Sequence, residues 1–440
     1  MAHLFTMMRI AFEVLRLRRH ESWSRENVIA HQARELQKLR RYVYRNSPFY
    51  RQFHAGLFDA PLSELPVLSK KMVMENFNSI VTQRNLQLSS IRNLLAQPQY
   101  GRIAGCEVVT TSGTTSMPGV FVFNGGEWAR VAAAFARARE WAGGGVQFGR
   151  TKRLAIVAST DEHFVTARIS RLATIPFMPV LQLDVTSPLD DLVEKLNAWQ
   201  PHILSVYAAT GYQLALQQAA GKLRIHPQQV MTGSEVLTHT MRAAMQRVWG
   251  NNIFDTYGST EAAVIAAETR DHDGLRVFED MVIVENVDSR NRPVTDGEYG
   301  EKLLITPLFH RTLPLIRYEL SDSVKFAPGP TGFRRIVAIG GRQEDTLRFG
   351  PHSVHPNVFH SLMDQVQCSG WQIVQTASSL TVLIAGGVQS DSLAERVRAA
   401  LRRQQIAEEY LPEITVTPVE EIPKSRSGKT PLIKALNTAR

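Results

Sequence analysis

The feature that most constrains this chain is a regular alternation of short apolar runs and amphipathic segments between residues 153 and 257. The apolar runs predict buried strands, and the segments between them carry the three-and-four apolar spacing of helices. Strands separated by helices of this length need crossover connections, which join parallel neighbours. We therefore expect an α/β fold built on a doubly wound, mostly parallel sheet. The predicted strands are 153–158, 202–207, 229–232 and 252–257, and the predicted helices are 189–199, 212–221 and 238–249.

The segments before and after this region have different residue patterns. Residues 1–100 contain few glycines and predict a helical lead-in, and residues 107–111 predict one strand. Short β runs separated by turn residues predict an antiparallel β subdomain over 274–338. The last hundred residues predict a small α+β unit that ends in a polar tail. We therefore expect a large N-terminal domain, 1–341, and a small C-terminal domain, 342–440, with helices at 356–366 and 391–405 and strands near 371–386.

Composition excludes several classes of protein. With 44% hydrophobic residues the chain is not wholly disordered, and its two cysteines are too few for a disulfide framework or a four-thiolate zinc site. We therefore expect a cytoplasmic protein, and no apolar run is long enough to predict an integral membrane segment. The net charge of +9 comes partly from basic runs at 16–19 and 38–41, which are typical of solvated helix faces and do not predict nucleic-acid binding. The amphipathic pattern of residues 1–20 fits a docked first helix or one that lies on a membrane surface.

Several motifs have residue types suited to nucleotide chemistry. The segment 110–119 (TTSGTTSMPG) offers hydroxyl and backbone N–H donors that can hold phosphate oxygens, although a solvent-exposed turn would look the same. In 254–261 (FDTYGSTE) an aromatic ring, a hydroxyl and a carboxylate suit a base, a phosphate and Mg²⁺. The tail segment 423–430 (PKSRSGKT) lacks the first glycine of a Walker A motif, because position 423 is proline.

Taken in order, these motifs resemble the adenylate-forming (acyl-CoA synthetase) superfamily. The order is a hydroxyl-rich loop, then 254–261, then 317–322 (RYELSD), then 341–345 (GRQED), then the Gly-Lys of the tail. The phenylacetate–CoA ligase branch is the most similar in length and in further short motifs. Those motifs are 47–51 (SPFYR), 65–71 (LPVLSKK), 200–204 (QPHIL) and 232–235 (TGSE).

The resemblance implies a nucleotide site and a catalytic lysine. Thr260 would contact the α-phosphate, Glu261 would bind Mg²⁺, and Lys429 would bridge the substrate carboxylate and the α-phosphate. Asp345 would be the hinge about which the small domain turns. The remaining nucleotide-binding residues implied are Ser112, Gly113, Thr114 and Thr115 on the β- and γ-phosphates, Gly233, Ser234, Glu235, Asp255, Tyr257 and Gly258 around the adenine and its turn, and Asp322 and Arg342 on the ribose.

The activity implied is ATP- and Mg²⁺-dependent activation of a carboxylic acid as an acyl-adenylate, followed by transfer to coenzyme A. An aryl or arylacetic acid is the expected substrate, with His163, Phe164 and Tyr207 in stretches that line the acyl pocket of relatives. The segment 350–356 (GPHSVHP) departs from the family pattern near the thiol-step contacts, so a carrier protein or an amine stays open as the acceptor. A catalytically idle, nucleotide-binding relative is a further alternative. The branch also suggests a homodimer.

Overall fold

The computed structural model describes residues 2–97, 101–111, 118–144, 151–172, 178–342, 345–386 and 390–436. None of the helices within these ranges is both long enough and apolar enough to cross a lipid bilayer. The helices are α1 (Ala2–Arg18), α2 (Arg25–Asn46), α3 (Pro48–Phe53), α4 (Lys70–Glu75), α5 (Phe77–Ile80), α6 (Leu88–Leu95), α7 (Gly125–Trp141), α8 (Val165–Ser170), α9 (Leu189–Trp199), α10 (Ala208–Ala219), α11 (His239–Trp249), α12 (Asn357–Met363) and α13 (Ser390–Arg403).

The strands form one large sheet and several smaller ones. They are β1 (Glu107–Thr110), β2 (Val120–Phe123), β3 (Leu154–Ala158), β4 (Val180–Asp184), β5 (Ile203–Tyr207), β6 (Gln229–Gly233), β7 (Ile253–Ser259), β8 (Ala263–Glu268), β9 (Leu275–Val277), β10 (Val282–Val287), β11 (Lys302–Pro307), β12 (Tyr318–Leu320), β13 (Asp322–Ala327), β14 (Arg335–Arg342), β15 (Leu347–Phe349), β16 (His352–Val354), β17 (Gly370–Gln375), β18 (Ser379–Ala385), β19 (Glu413–Val419) and β20 (Ile433–Lys434).

The central element is a nine-stranded sheet in the order β13-β14-β9-β8-β7-β6-β5-β3-β4. From β4 to β7 the neighbouring strands are parallel and are joined through helices, which confirms the predicted α/β class. The carboxyl ends of these strands therefore lie along one edge of the sheet. In open α/β sheets, ligands bind in the crevice outside this edge.

The β runs after residue 274 are antiparallel as expected, but they do not form one separate sheet. Strands β10, β11 and β12 pair with each other, whereas β9, β13 and β14 extend the nine-stranded sheet. The reason is β8, whose six residues are all buried and which pairs antiparallel with β7. Because β8 is buried on both faces, the large sheet continues through it past residue 274, where the change in sequence pattern predicted a separate subdomain.

The small domain has a four-stranded sheet in the order β19-β18-β17-β20. The predicted helices and strands of this domain are present, but the tail is more ordered than its polarity predicted. Strand β19 pairs with β18 over seven residues, and the short β20 pairs with β17. Because β19 is an edge strand with mostly exposed side chains, its sequence lacks the apolar run that marks a buried strand.

Helix α10, near the cleft, and helix α1, at the N terminus, also bear on the predictions. Helix α10 begins at Ala208, four residues before the predicted start, because the carboxylate of Glu235 accepts the Ala209 N–H (2.9 Å) and satisfies a free donor at the helix end. Helix α1 packs against α7, and an Arg18–Glu140 ion pair joins them. Its opposite face exposes large apolar side chains, namely those of Phe5, Met8, Phe12 and Leu15.

Candidate active site

A cleft of about 1980 Å³ lies between the carboxyl edge of the large sheet and the tail of the small domain. Most of the site residues that the sequence suggested line this cleft, although they come from widely separated parts of the chain. The predicted residues Ser112, Gly113, Thr114 and Thr115 lie outside the described part of the chain. Those that line the cleft are Phe164, Tyr207, Gly233, Ser234, Glu235, Asp255, Tyr257, Gly258, Thr260, Glu261, Asp322, Arg342, Asp345 and Lys429.

Lys429 reaches this cleft at the end of a tight turn in the tail. The Gly428 N–H donates to the Ser425 carbonyl (2.8 Å), and the Ser425 N–H donates to the Lys429 carbonyl (2.7 Å). Gly428 has φ +74°, and a Cβ at this position would lie 2.0 Å from Cγ1 of Val185 on the large domain. Only glycine meets both conditions without displacing its neighbours. The turn is thus shaped to bring Lys429 close to the large sheet.

Three further contacts fix the turn to the large domain. The Thr430 N–H donates to Oε1 of Glu235 (2.5 Å), and Lys424 Nζ donates to the Val185 carbonyl (3.3 Å). Arg426 lies 3.6 Å from Asp161. Glu235 is the central contact, since its other oxygen accepts the Ala209 N–H at the start of α10. One carboxylate therefore links the large domain to the residue next to Lys429.

The surroundings of Lys429 make its ammonium group easy to deprotonate. Burial lowers its pKa from 10.5 to about 8, and the nearby Arg342 guanidinium contributes to this lowering, against the opposing effect of Glu235 and Asp322. Charges in such an enclosed place interact more strongly than charges in water. A buried ammonium group that lines the cleft suits an anionic ligand.

Glu261 is a buried carboxylate on the opposite wall of the cleft. Oε1 of Glu261 accepts a hydrogen bond from the Tyr318 hydroxyl (3.0 Å), and the residue is 5% exposed. Burial raises the pKa of the Glu261 carboxyl above its usual value. A desolvated carboxylate of this kind gains stability from a cation. The described residues contain no cluster of three or more acidic, histidine or cysteine side chains that could hold a metal, so a cation here would need oxygen atoms from a ligand as well.

The remaining polar groups of the cleft lie at the edge of the large sheet. Nε of Arg342 lies 3.3 Å from Oδ1 of Asp322, at facing positions of the β13–β14 pair. The Tyr257 ring stands beside them, and burial, together with the Asp322 charge, raises the pKa of its hydroxyl well above the usual value. Asp255 accepts the Thr232 hydroxyl (2.8 Å), and burial beside Glu268 raises its pKa to about 6. A ring, a carboxylate–guanidinium pair and a buried acid are thus gathered at one edge.

The three predicted acyl-pocket residues separate in the structure. Phe164 and Tyr207 line the cleft, and the Tyr207 hydroxyl accepts the Ser159 N–H (3.3 Å). His163 does not line it. Its Nε2 is hydrogen-bonded to the Leu95 carbonyl (2.9 Å), and its Nδ1 is paired with Asp161. His163 lies in the turn that precedes α8, and its place outside the lining of the cleft gives its predicted role in the acyl pocket no support.

Sequence reasoning missed the residues that hold the site together. Tyr318 lies in a motif that was noted, yet nothing in that motif indicated that its hydroxyl would contact Glu261, 57 positions away. The contacts of Asp161 and Val185 with the tail span more than 200 positions. Their residue types are ordinary for loop and strand ends, so no local signal was available for them.

Comparisons with known proteins give sequence relatives and structural neighbours. No family model matches the chain. It is 25% identical over 346 residues to a phenylacetate–coenzyme A ligase of Aromatoleum evansii, which covers 74% of this chain and 73% of that protein. A solved structure of 2-hydroxyisobutyryl-CoA ligase with a bound acyl-AMP has a TM-score of 0.71 at 19% identity, covering 95% of this chain and 92% of that one. The amide bond synthetase McbA of Marinactinospora thermotolerans has a TM-score of 0.54 at 20% identity, covering 76% and 69%.

The 2-hydroxyisobutyryl-CoA ligase was solved in more than one state. The TM-score is 0.71 for its postadenylation state and 0.59 for its thioesterification state. Both values show a likeness of fold.

Proposed function

We propose that this chain, which has the fold of the adenylate-forming enzymes and resembles their phenylacetate–CoA ligase-like branch, activates a carboxylic acid with ATP and transfers the acyl group to coenzyme A. One observation carries the proposal: Lys429 from the tail and the polar groups at the carboxyl edge of the large sheet line a single cleft. The phenylacetate–coenzyme A ligase supports the reaction class by its sequence similarity. The proposal assigns ATP to the sheet edge, with Asp322 and Arg342 on the ribose and Tyr257 on the adenine.

The first step is attack of the substrate carboxylate on the α-phosphorus of ATP. A C–O–P bond forms, the bond to the β-phosphate breaks, and pyrophosphate leaves with the electron pair. Two anions repel each other at the start, so a fixed positive charge between them stabilises the transition state. Lys429 is placed to supply it, and Thr260 would donate its hydroxyl to the α-phosphate.

Glu261 is the residue that would hold Mg²⁺ in this reaction. Its carboxylate is buried and belongs to no cluster of three or more metal-ligating side chains among the described residues, which fits an ion that takes most of its oxygen ligands from phosphates and water. When bound, such an ion neutralises charge on the leaving pyrophosphate. Tyr318 fixes the orientation of the Glu261 carboxylate through its hydroxyl.

In the second step the coenzyme A thiolate attacks the acyl carbon and AMP leaves. The Lys429 turn is not needed for this step, and it would withdraw by releasing the contacts of the tail with Glu235, Val185 and Asp161. We propose that Asp345, at the start of the small domain, is the hinge for this movement. One cleft then serves two reactions in turn.

The test is pyrophosphate release from ATP by the purified protein, screened against a panel of carboxylic acids. We expect release that depends on the acid, and AMP and an acyl-CoA when coenzyme A is added. Adding amines in place of coenzyme A, with the product identified by mass, separates the amide-forming alternative. ATP binding without release for any acid would contradict the proposal and favour a non-catalytic nucleotide-binding protein.

The lowered pKa of Lys429 predicts how adenylation depends on pH. Below about pH 8 the side chain is protonated and carries the charge that the reaction needs, and above this value the charge is lost. We expect kcat/KM for pyrophosphate exchange to fall about tenfold per pH unit above pH 8, since kcat/KM reports the free enzyme. In Lys429→Arg the fall should disappear, because arginine stays charged. A wild-type profile that stays flat to pH 10 would contradict this.

The link made by Glu235 predicts a smaller loss of activity. Each oxygen of its carboxylate accepts one N–H, from Ala209 and from Thr430, and the amide of Glu235→Gln would leave one of these donors facing an NH₂ group. An unmade hydrogen bond at an enclosed site costs about 1–3 kcal/mol. We expect about tenfold slower adenylation and faster amide hydrogen exchange over residues 425–430. Glu194→Gln, on the exposed face of α9, is the matched control and should change neither.

A further inference from the structure

The cleft extends well beyond the residues assigned to ATP. From Tyr207 it continues along one face of the large sheet, beside β3, and reaches α1 at the other end of the strand. Leu154, Ile156 and Ala158 line it, and alternate residues of a strand share one face. A strand advances ~3.3 Å per residue, so this stretch of wall is ~13 Å long. We name this extension, bounded by β3, α7, α8 and α1, the apolar channel.

The helices around the apolar channel each present one face to it. On α7 the lining residues are spaced by three and four, and the same spacing recurs on α8 with its following turn and on α1. Almost all of these side chains are hydrocarbon. They are Ala132, Phe135 and Ala136 on α7, Val165, Ile169 and Leu172 on and after α8, and Met7, Ile10 and Val14 on α1.

Some apolar side chains of this wall are partly exposed, although Leu154 and Ala158 are buried. Ile156 lies in the middle of β3, between β4 and β5, where a residue is normally buried on both sides, yet it is partly exposed. Phe135 and Ile169 are also partly exposed, although they project from helices that pack on the sheet. Interiors are otherwise close-packed, so an apolar surface left open inside a domain costs free energy unless a ligand covers it.

The far end of the apolar channel differs in character. There the lining includes Arg18, Arg139 and Glu140, with the Arg18 and Glu140 side chains paired (Nε–Oε2, 3.0 Å). Charged residues mark the point at which the channel meets solvent beside α1. The channel is therefore mainly apolar from the nucleotide site to a polar mouth. The exceptions along it are the hydroxyl groups of Thr166 and Ser170 on α8 and of Ser205 on β5, which is paired with Ile156 of β3.

We propose that the substrate is a long apolar carboxylic acid, whose carboxylate lies at Lys429 and whose hydrocarbon chain fills the apolar channel toward α1. This deepens the proposed function and rests on it. With C–C bonds of ~1.5 Å in zigzag, the ~13 Å wall beside β3 accommodates about ten carbons. A single phenyl ring would fill only the part nearest Tyr207 and would leave the partly exposed apolar side chains of α1, such as Ile10 and Val14, uncovered.

Pyrophosphate exchange with straight-chain acids of increasing length, and with phenylacetate, tests this. We expect kcat/KM to rise by up to about fourfold per added methylene until the chain reaches about ten carbons, and then to level off. A preference for phenylacetate over every straight-chain acid, or no dependence on length, would overturn the inference while leaving the proposed function standing. If none of the acids supported exchange, both the inference and the proposed function would be overturned.

A variant that narrows the channel gives an independent test. In Ile156→Trp the indole would project into the channel, and we expect the ratio of kcat/KM for a long acid to that for a short acid to fall at least about tenfold. Ala136→Phe narrows the channel from α7 and should act in the same direction if the strand variant does not fold. Ile29→Trp, an identical change at an exposed position on α2, is the matched control and should leave the ratio unchanged. An unchanged ratio in a folded channel variant would overturn the inference.

Discussion

Lys429→Ala is expected to abolish acid-dependent pyrophosphate exchange, lowering the rate at least ~10²–10³-fold, the loss seen when one preorganised charge-stabilising group is removed. The substrate carboxylate and the α-phosphate would then meet without a fixed cation between them. ATP binding should persist, because Tyr257, Asp322 and Arg342, which are assigned to the base and ribose, lie on strands of the large sheet. Exchange rate and nucleotide affinity, measured on the same preparation, test both parts.

The controls for this variant separate charge from position. Lys195→Ala removes a lysine from an exposed site on α9 and should leave exchange unchanged. Gly428→Ala keeps the lysine but places a methyl group against Val185, so it should also slow exchange by displacing the turn. Normal exchange in Lys429→Ala would remove this residue from the reaction and with it the assignment of the tail to the active site.

Glu261→Gln is the second variant with a large expected effect. The amide keeps the shape of the side chain and can still accept from Tyr318, but it loses the negative charge that would hold Mg²⁺. We expect exchange to fall on the order of 10²-fold and the Mg²⁺ concentration needed for half-maximal rate to rise, because metal sites prefer charged oxygen ligands. A Mg²⁺ titration of exchange in the wild type and the variant measures both effects.

The comparison variants for Glu261 address its surroundings. Tyr318→Phe removes the hydrogen bond and leaves the charge, so it should have a smaller effect that higher Mg²⁺ concentrations largely restore. Glu194→Gln on α9 should behave as the wild type does. An unchanged Mg²⁺ dependence in Glu261→Gln would show that this carboxylate has no part in binding the metal.

The fold could be predicted where strand and helix patterns alternate regularly along the sequence. From β3 to β7 the four predicted strands and the three predicted helices were confirmed, together with the α/β class, whereas β4 and α8 were not predicted. The start of α10 and the extension of the sheet through β8 could not be predicted, because they depend on distant partners. Glu235 completes the first turn of α10 from a later loop, and β8 is assigned to the large sheet only by its pairing with β7.

The site shows the same division between local and long-range information. Glu261, Asp322 and Lys429 were suggested by motif order, and the structure places them around one cleft. Their roles in catalysis remain predictions. Tyr318 and Val185 were missed because a hydroxyl contact and a backbone approach leave no pattern in the sequence. Of the neighbouring residues His163 and Phe164, which the resemblance implies for the acyl pocket, Phe164 lines the cleft and His163 does not.

The proposed reaction depends on direct attack by the acid on the α-phosphorus of ATP, and isotope transfer tests this step most directly. The most active acid, labelled with ¹⁸O in its carboxylate, is incubated with the protein, ATP, Mg²⁺ and coenzyme A. In the proposed reaction one ¹⁸O atom appears in the phosphate of AMP, since the oxygen that attacks stays with phosphorus when the thiol displaces AMP. Label in inorganic phosphate with formation of ADP, or no label in AMP, would contradict it.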